Sequence, residues 1–205
     1  MKKILVSYED IKKINSFSAE YHLGINYLSP FILSDFCTAI SIKNKSEAKL
    51  VLDTRAGNNG LLQLISYSII DNKSKSHKRL LPAGCIAISR LRTYLHQIIC
   101  FSERLAYLCG VDSVIVSSEF VVLKPININP YELTLILLSK NVQQYLADCT
   151  AGGHHPRVAK DLILRAPVEQ KDLDYASKNW QKFADSSEIY LTAQKQVQDI
   201  FNHMD

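Results

Sequence analysis

A dense run of polar side chains follows the apolar stretch Cys85–Ser89 and combines two guanidinium groups, a hydroxyl, an aromatic ring and an amide. The planar guanidinium fork of arginine fits the O6 and N7 acceptors of guanine, and a glutamine amide fits the N6 and N7 atoms of adenine. These residue types therefore predict hydrogen bonds to base edges. The residues concerned are Arg90, Arg92, Thr93, Tyr94, His96 and Gln97.

Two further polar segments suit the same kind of ligand. One contains adjacent glycines, which let the backbone approach a ligand closely, followed by two histidines and an arginine. The other carries four basic residues that suit phosphate contacts, which position a protein without specifying sequence. A hydrated loop explains any single residue equally well, but two such loops on one basic domain support each other. The first segment is Gly152, Gly153, His154, His155 and Arg157, and the second is Lys73, Lys75, Lys78 and Arg79.

The positive charge of the chain is unevenly distributed. The net charge is +4, from 24 basic and 20 acidic residues. Residues 170–205 hold four lysines and six acidic residues, so residues 1–169 hold the other 20 basic and 14 acidic groups. Between residues 73 and 104, Glu103 is the only acidic residue among seven basic ones. Such a region favours a polyanion through counterion release, although a solvated surface can show the same pattern.

The tripeptide Asn129-Pro130-Tyr131 is similar to the Asn-Pro-Pro-Tyr motif with which amino-methyltransferases hold a flipped base. One proline is missing, and no glycine-rich loop for S-adenosylmethionine follows a strand. A strand-to-helix turn with proline at the first helical position explains the tripeptide better.

Asp35, Glu47 and Lys49 form another candidate site, because two carboxylates could hold Mg²⁺ while a lysine stabilises charge on a scissile phosphate. This pattern is common by chance, so a small Mg²⁺-dependent nuclease is the weaker alternative. The adjacent His154 and His155 lack a third metal ligand nearby. No phosphate loop, CxxC pair or other catalytic motif is present. We expect a non-catalytic protein without metal or cofactor.

The five cysteines have no zinc-like spacing and mostly apolar neighbours, which predicts buried thiols in a reducing cytosol. The apolar start at residues 4–6 ends too early for a signal peptide. The apolar stretches, such as the one near residues 135–138, are too short to span a membrane. We therefore expect a soluble, cytoplasmic protein.

Apolar runs bounded by turn residues predict short strands at residues 50–52, 61–70, 85–89, 98–101, 114–116 and 120–123. Helical spacing of apolar residues predicts a helix over residues 131–149, which the two glycines at 152 and 153 end. The expected fold class is α+β: a mixed, partly antiparallel sheet with short helices, followed by one long C-terminal helix.

The C-terminal segment has the most regular pattern, with apolar residues at alternating steps of three and four and polar interruptions at Ser187 and Gln194. A helix roughly 50 Å long tends to extend beyond a small domain, which favours coiled-coil pairing. Packing of one amphipathic helix on its own domain is the alternative. We divide the chain into a globular domain, 1–168, and a helix for dimerisation or partner docking, 169–205. The predicted interface residues are Leu173, Ala176, Trp180, Phe183, Tyr190, Val197 and Phe201.

Four segments resemble, in their order and spacing, the target recognition domain of type I restriction–modification specificity subunits. They are residues 17–22, 81–90, 118–125 and 150–163. Cys85 and Ser18 stand where the family pattern has aspartates, and the exit from the domain is shortened to residues 166–170. The resemblance implies sequence-specific recognition of double-stranded DNA, with catalysis by partner subunits. The implied base contacts come from the loops at 90–97 and 152–157, and the phosphate contacts from the loop at 73–79.

In that family, two recognition domains held apart by paired helices recognise a split site, while partner subunits methylate adenine or cleave. The present chain has one such domain and one helix, and therefore resembles a half-subunit. Pairing into a homodimer would let it recognise two inverted half-sites. The implied partners are a DNA methyltransferase (modification) subunit and a restriction subunit. A further alternative is a scaffold or inhibitor that binds a methyltransferase through residues 171–204 without touching DNA.

Overall fold

The computed structural model describes residues 29–42, 50–64, 67–69, 78–151 and 156–203 of the 205-residue chain. Short strands and helices follow one another along these residues, and one long helix comes last. The strands are β1 (Phe31–Ile32), β2 (Cys37–Ile40), β3 (Leu50–Leu52), β4 (Gly57–Asn58), β5 (Leu61–Leu62), β6 (Tyr67–Ile69), β7 (Lys78–Pro82), β8 (Cys85–Ser89), β9 (Ile98–Phe101), β10 (Ser113–Ser117), β11 (Phe120–Pro125) and β12 (Pro167–Val168). The helices are α1 (Glu103–Cys109), α2 (Pro130–Leu137), α3 (Lys140–Asp148), α4 (Lys160–Leu164) and α5 (Gln170–Asn202).

Most of the strands belong to two four-stranded sheets. One sheet has the strand order β6-β3-β10-β7, and the other has the order β2-β11-β8-β9. β3 pairs with β10 in parallel, whereas the other pairs in these two sheets are antiparallel. The predicted α+β class with a mixed, partly antiparallel arrangement is confirmed, with the strands divided between two sheets.

The sheet β2-β11-β8-β9 is covered on both faces. Ile86 and Ile88 of β8 lie in an apolar cluster with α2, α3 and α4. Cys85 and Ala87, which alternate with them, lie in a second cluster with β7, β10 and α1. Successive side chains of a strand point to opposite faces, so a strand with cover on both sides must be apolar throughout. This explains the uninterrupted apolar sequence at residues 85–88 of β8.

The predicted helix over residues 131–149 is in fact two helices, α2 and α3. Ser139 separates them, because its hydroxyl accepts a hydrogen bond from the Val142 amide (3.4 Å) and caps the start of α3. A serine that satisfies a free amide in this way favours a new helix start over helix continuation. The single-helix prediction was wrong at this point.

The strand predicted at residues 61–70 is also wrong as a single element, because β5 and β6 belong to different sheets. The Leu64 amide donates a hydrogen bond to the side chain of Gln194 (2.8 Å) rather than to a neighbouring strand. Helices α1 and α4 were not predicted. Helix α1 begins where the Ser102 hydroxyl accepts from the Leu105 amide (3.2 Å) and ends at Gly110, whose φ is 68°.

The predicted long helix is confirmed as α5, which has 33 residues. Much of its length packs on the rest of the chain. Ala176, Ala184, Ser187, Leu191 and Gln194 are all buried. The regular apolar spacing therefore reports contact with the chain's own domain along most of the helix.

The last turns of α5 differ, because Val197, Ile200 and Phe201 are exposed. They follow Gln194, whose side chain is held by two hydrogen bonds. The Gln194 Nε2 atom donates to the Leu62 carbonyl (2.9 Å), and the Gln194 Oε1 atom accepts from the Leu64 backbone amide. Among the residues of α5 whose burial is described, Gln194 is the last buried one, and it contacts β5. In the part of the chain that the structure covers, no helix is both long and apolar enough to cross a bilayer.

Candidate nucleic-acid interface

The first loop predicted to contact bases lies beside the described residues at the two ends of the second, although some sixty residues separate them in sequence. The first, which we call the arginine loop, is residues 90–97 between β8 and β9. The second is described at Ala151 and at residues 156–158, which we call the return segment. Leu91 pairs with Arg157 in an antiparallel bridge, and Arg157 pairs with Ala151 in another. The Arg92 amide also donates to the Pro156 carbonyl (3.3 Å), so the arginine loop and the return segment form one surface.

Arg90 holds these loops together. Its Nε atom donates to the Val158 carbonyl (2.9 Å), and the Val158 amide donates back to the Arg90 carbonyl (3.0 Å). The Arg90 amide donates to the Glu119 carbonyl (2.9 Å), which ties the loop to the turn between β10 and β11. A half-buried guanidinium engaged in this way supports the backbone. The structure gives Arg90 this backbone contact, and a base contact of Arg90 stays a prediction.

Arg157 forms a two-point ion pair with Glu119. The Arg157 Nε and Nη2 atoms lie 2.9 and 2.7 Å from the two carboxylate oxygens. The hydrogen bond and the negative charge of Glu119 both raise the pKa of the Arg157 guanidinium. Paired N–H···O contacts of this kind fix the plane of the guanidinium as well as its position. Arg157 is therefore an oriented cation at the edge of the loop surface.

A short 3-10 turn, Thr93–Leu95, forms the tip of the arginine loop. The residues on either side of it, Arg92 (φ 49°, ψ 58°) and His96 (φ 47°, ψ 41°), are both in the left-handed conformation. Each such residue costs about 1–2 kcal/mol, because the Cβ atom crowds the following carbonyl oxygen. Thr93 is buried, and its hydroxyl lies 3.2 Å from the hydroxyl of Thr150, which anchors the turn. The turn presents Tyr94 and Leu95 to solvent, with 64% and 43% of their surface exposed.

The turn between β4 and β5 adds a third segment beside the arginine loop. The Asn59 amide donates to the His96 carbonyl (3.0 Å), and the Asn59 Oδ1 atom lies 3.1 Å from the His96 Nδ1 atom. Asn58 and Asn59 are exposed, and both carry the amide that pairs well with adenine. Neither residue was predicted from the sequence to belong to the site. Their position between Gly57 and Gly60 indicated a turn, but its closeness to residue 96 is a long-range contact.

Gly60 fixes this third segment against the helices. Its φ is 81°, and a Cβ atom there would lie 2.4 Å from the Cγ2 atom of Thr134 in α2. Only glycine combines this conformation with so close an approach. The asparagine turn therefore has a fixed position relative to α2 and to the arginine loop.

We call the resulting surface the loop face and define it as Asn58, Asn59, Arg92, Tyr94 and Arg157. Of the other predicted base contacts, Thr93 is buried, His96 is half-buried against Asn59, and Gln97 is half-buried next to β9. Residues 152–155, which include Gly152, Gly153, His154 and His155, lie outside the described residues. So do Lys73 and Lys75.

Two of the predicted phosphate contacts, Lys78 and Arg79, begin strand β7 instead of lying in a loop. The Lys78 backbone is paired with Ser117 and that of Arg79 with Val116. Ser117 is followed closely by Glu119, whose amide donates to the Ser117 hydroxyl (3.3 Å). The basic start of β7 therefore lies at the same end of the molecule as the Arg157–Glu119 pair.

Asn129, Pro130 and Tyr131 form a helix start. The Asn129 Oδ1 atom accepts from the Glu132 backbone amide (2.9 Å), and the Glu132 Oε2 atom accepts from the Asn129 backbone amide (3.0 Å). Pro130 is the first residue of α2. The Tyr131 hydroxyl lies 2.6 Å from the Ser102 hydroxyl, and burial raises the pKa of Tyr131 to about 12. The strand-to-helix turn predicted for these residues is confirmed.

The other candidate catalytic and metal-binding residues form no catalytic or metal site among the described residues. The Asp35 carboxylate accepts from the Ile32 amide (2.8 Å), while Glu47 and Lys49 lie outside them. No group of three or more histidine, cysteine or acidic residues in the described part of the chain could hold a metal ion. Burial raises the pKa of the Cys37 and Cys100 thiols to about 12, which makes them poor nucleophiles at neutral pH. The prediction of buried, unpaired cysteines is confirmed for four of the five, and Cys109 is half-buried.

Four of the residues predicted to face a partner helix lie against the chain's own domain. Ala176 is buried, and Leu173 packs on the same apolar cluster. Trp180 and Phe183 pack on the cluster that contains Tyr131, with the rings of Phe183 and Tyr131 edge to face at 6.2 Å. Tyr190 is half-buried, and Val197 and Phe201 are exposed.

Comparison with solved structures confirms the predicted recognition-domain fold. The chain is similar to the HsdS subunit from Thermoanaerobacter tengcongensis, with a TM-score of 0.55 and 17% sequence identity over 87% of this chain and 49% of that one. It is also similar to a chain from a study of complex assembly and conformational transition of the type I R-M system, with a TM-score of 0.58 and 17% identity over 84% and 47% of the two chains. The chain thus spans about half the length of these two structures. No protein-family model and no curated protein matches the sequence.

Proposed function

We propose, from the fold that the chain shares with about half of an HsdS chain, that it recognises a specific sequence of double-stranded DNA and has no catalytic activity of its own. The observation that carries this proposal is the loop face. Two loops chosen from their residue types alone are joined by backbone hydrogen bonds, and an exposed pair of amides lies beside them. Sequence recognition needs several donors and acceptors held in fixed relative positions, and the loop face supplies them.

The charges of the loop face suggest which residues contact base edges and which contact phosphates. Arg92 is exposed, and among the described residues its guanidinium donates no hydrogen bond. It is therefore available to donate to the acceptors of a guanine or to a phosphate. Arg157 is already paired with the Glu119 carboxylate, which would repel a phosphate. A base edge therefore suits Arg157 better than the DNA backbone does. Lys78 and Arg79, together with Lys73 and Lys75, would contact phosphates.

In this proposal, residues 1–168 form the recognition domain and residues 169–205 form the association helix of a half-subunit. The exposed end of α5, with Val197 and Phe201, would pair with a second copy of the chain. The two recognition domains would then bind inverted half-sites at a fixed spacing. Methylation and cleavage would be carried out in the cytoplasm by a DNA methyltransferase subunit and a restriction subunit of the same restriction–modification or related methylation system.

Selection of bound duplexes from a pool of random double-stranded DNA tests this proposal. The purified chain should enrich a short motif, and a dimer should enrich two inverted copies of it. Recovery of duplexes without any shared sequence would contradict sequence recognition. The same selection with Lys178→Ala is a matched control, because Lys178 is an exposed basic residue on α5 and lies outside the loop face.

A further inference from the structure

We infer that Tyr94 and Leu95 form a wedge that enters the DNA and separates two stacked bases. This inference rests on the proposed function, and it assigns these two residues a role that hydrogen-bond recognition does not require. It would make the protein sensitive to how easily the DNA can be deformed at one position of its site.

The first observation is the exposure of the two side chains. Tyr94 and Leu95 are 64% and 43% exposed and are adjacent at the tip of the arginine loop. Their neighbours on the loop face are polar, namely Arg92, Asn58 and Asn59. A large aromatic and a branched aliphatic side chain next to polar and charged residues remain in contact with water unless a ligand covers them.

The second observation is the stiffness of the turn that carries them. The Leu95 amide donates to the Arg92 carbonyl (2.9 Å), and the His96 amide donates to the Thr93 carbonyl (2.9 Å). Thr93 is buried beneath the turn, and two left-handed residues enclose it. Strained residues of this kind persist where the surroundings impose them and are concentrated at functional sites. A side chain that separates stacked bases must be held firmly, and this turn meets that need.

The third observation is the character of the surrounding surface, which favours nucleic acid over a protein partner. Arg92 directly precedes the turn and carries a positive charge, and Arg157, paired with Glu119, bridges Leu91 on the same side in sequence. Asn58 and Asn59 carry side-chain amides of the kind that pairs with base edges. Tyrosine rings stack on bases of any sequence, and leucine is one of the side chains that insert between base steps and bend the duplex. Positive charge beside such a turn favours a polyanion, which a nucleic acid is.

The inference predicts a preference that can be measured on the unmodified protein. A duplex recovered from the random-DNA selection would be compared with versions in which one base pair at a time is replaced by an abasic site. An abasic site has no base that the wedge must unstack. With the abasic site at the wedge position, the duplex should therefore bind about tenfold more tightly than the intact one. At every other contacted position the abasic duplex should bind more weakly.

Variants separate the wedge from the charged contacts. Tyr94→Ala and Leu95→Ala should lose the preference for the abasic duplex while keeping the salt dependence of binding, since neither side chain contacts phosphates. Tyr94→Phe should retain the preference. Tyr107→Ala, which removes a tyrosine that is 86% exposed on α1, should behave as the wild type.

The outcomes distinguish this inference from the proposed function. If the wild type binds the selected duplex but prefers no abasic version, and Tyr94→Ala binds equally well, the wedge is refuted while the proposed function stands. If the wild type binds no duplex at all, the proposed function fails and the inference fails with it.

Discussion

The guanidinium of Arg157 and the carboxylate of Glu119 face each other in a two-point ion pair, with N–O distances of 2.7 and 2.9 Å, across 38 residues of sequence. Glu119 lies in the turn between β10 and β11, whereas Arg157 belongs to the return segment. The pair connects one of the two central sheets to the loop face. It also places a negative charge next to a surface that we propose binds a polyanion.

Glu119→Gln tests what that negative charge does. The amide can still accept a hydrogen bond but no longer repels phosphate, so binding to unrelated DNA should become tighter. Arg157 should lose part of its fixed orientation. The affinity for the selected duplex should therefore rise less than the affinity for unrelated DNA, or should fall. The ratio of the affinity for the selected duplex to the affinity for unrelated DNA, measured by fluorescence anisotropy, should therefore fall. An unchanged ratio would show that Glu119 has no part in specificity.

Gln194→Ala tests whether α5 is docked on β5. Gln194 is buried and makes hydrogen bonds to the backbone of Leu62 and Leu64, so its loss leaves two buried polar groups unsatisfied. We expect the free energy of unfolding in urea to fall by about 1–3 kcal/mol. Gln196→Ala, at an exposed position two residues later, should change it by less than about 0.5 kcal/mol. Equal effects of the two substitutions would mean that this part of the helix does not pack on the domain.

The buried thiols predict a loss of stability in alkaline solution. Burial raises the pKa of Cys100 from 9.0 to about 12, so between these values the thiol ionises in the unfolded chain but not in the folded one. The unfolded chain then binds fewer protons, and stability that is complete below pH 9 is lost as the pH rises towards 12. Cys100→Ala should reduce the slope of unfolding free energy against pH by up to about 1.4 kcal/mol per pH unit.

The matched control for this prediction is Val142→Ala. It also shortens a fully buried side chain but removes no titrating group. It should lower the free energy of unfolding at every pH and leave the slope unchanged. If Cys100→Ala behaves in the same way, the Cys100 thiol does not resist ionisation in the folded protein.

Val197→Glu and Phe201→Glu test pairing through the end of α5. Both side chains are exposed, so the substitutions should leave the folded monomer intact and, through charge repulsion, prevent association. Sedimentation equilibrium over a range of concentrations should show a dimer for the wild type and a monomer for the double variant. Tyr175→Glu, at an exposed position in the first turns of α5, should still form dimers. A wild-type chain that remains monomeric at all concentrations would contradict a homodimeric half-subunit.

Local patterns were sufficient to predict five of the eight strands of the two central sheets, namely β3, β8, β9, β10 and β11, but not β2, β6 and β7. The continuous apolar run at Cys85–Ser89 indicated a buried strand, and the structure explains it by cover on both faces. The length of α5 followed from its periodicity in the same way. The boundary at Ser139 was missed because helix capping and helix continuation compete closely at a serine, and the apolar spacing continues across it.

The partners of particular side chains could not be predicted, because they depend on contacts that are distant in sequence. The polar interruption at Gln194 was consistent with a coiled coil, but its hydrogen-bond partners are at residues 62 and 64. The residue types of the arginine loop pointed to a binding surface, but they did not distinguish exposed Arg92 from Arg90, which supports the backbone. Asn58 and Asn59 were overlooked for the same reason.

The affinity of Arg92→Ala for the selected duplex tests the central claim most directly. Arg92 is exposed in the loop face, so the substitution should leave folding intact and weaken binding at least about tenfold. Lys178→Ala should bind as the wild type. If Arg92→Ala and Arg157→Ala both bind the selected duplex as tightly as the wild type, the loop face is not the surface that recognises DNA.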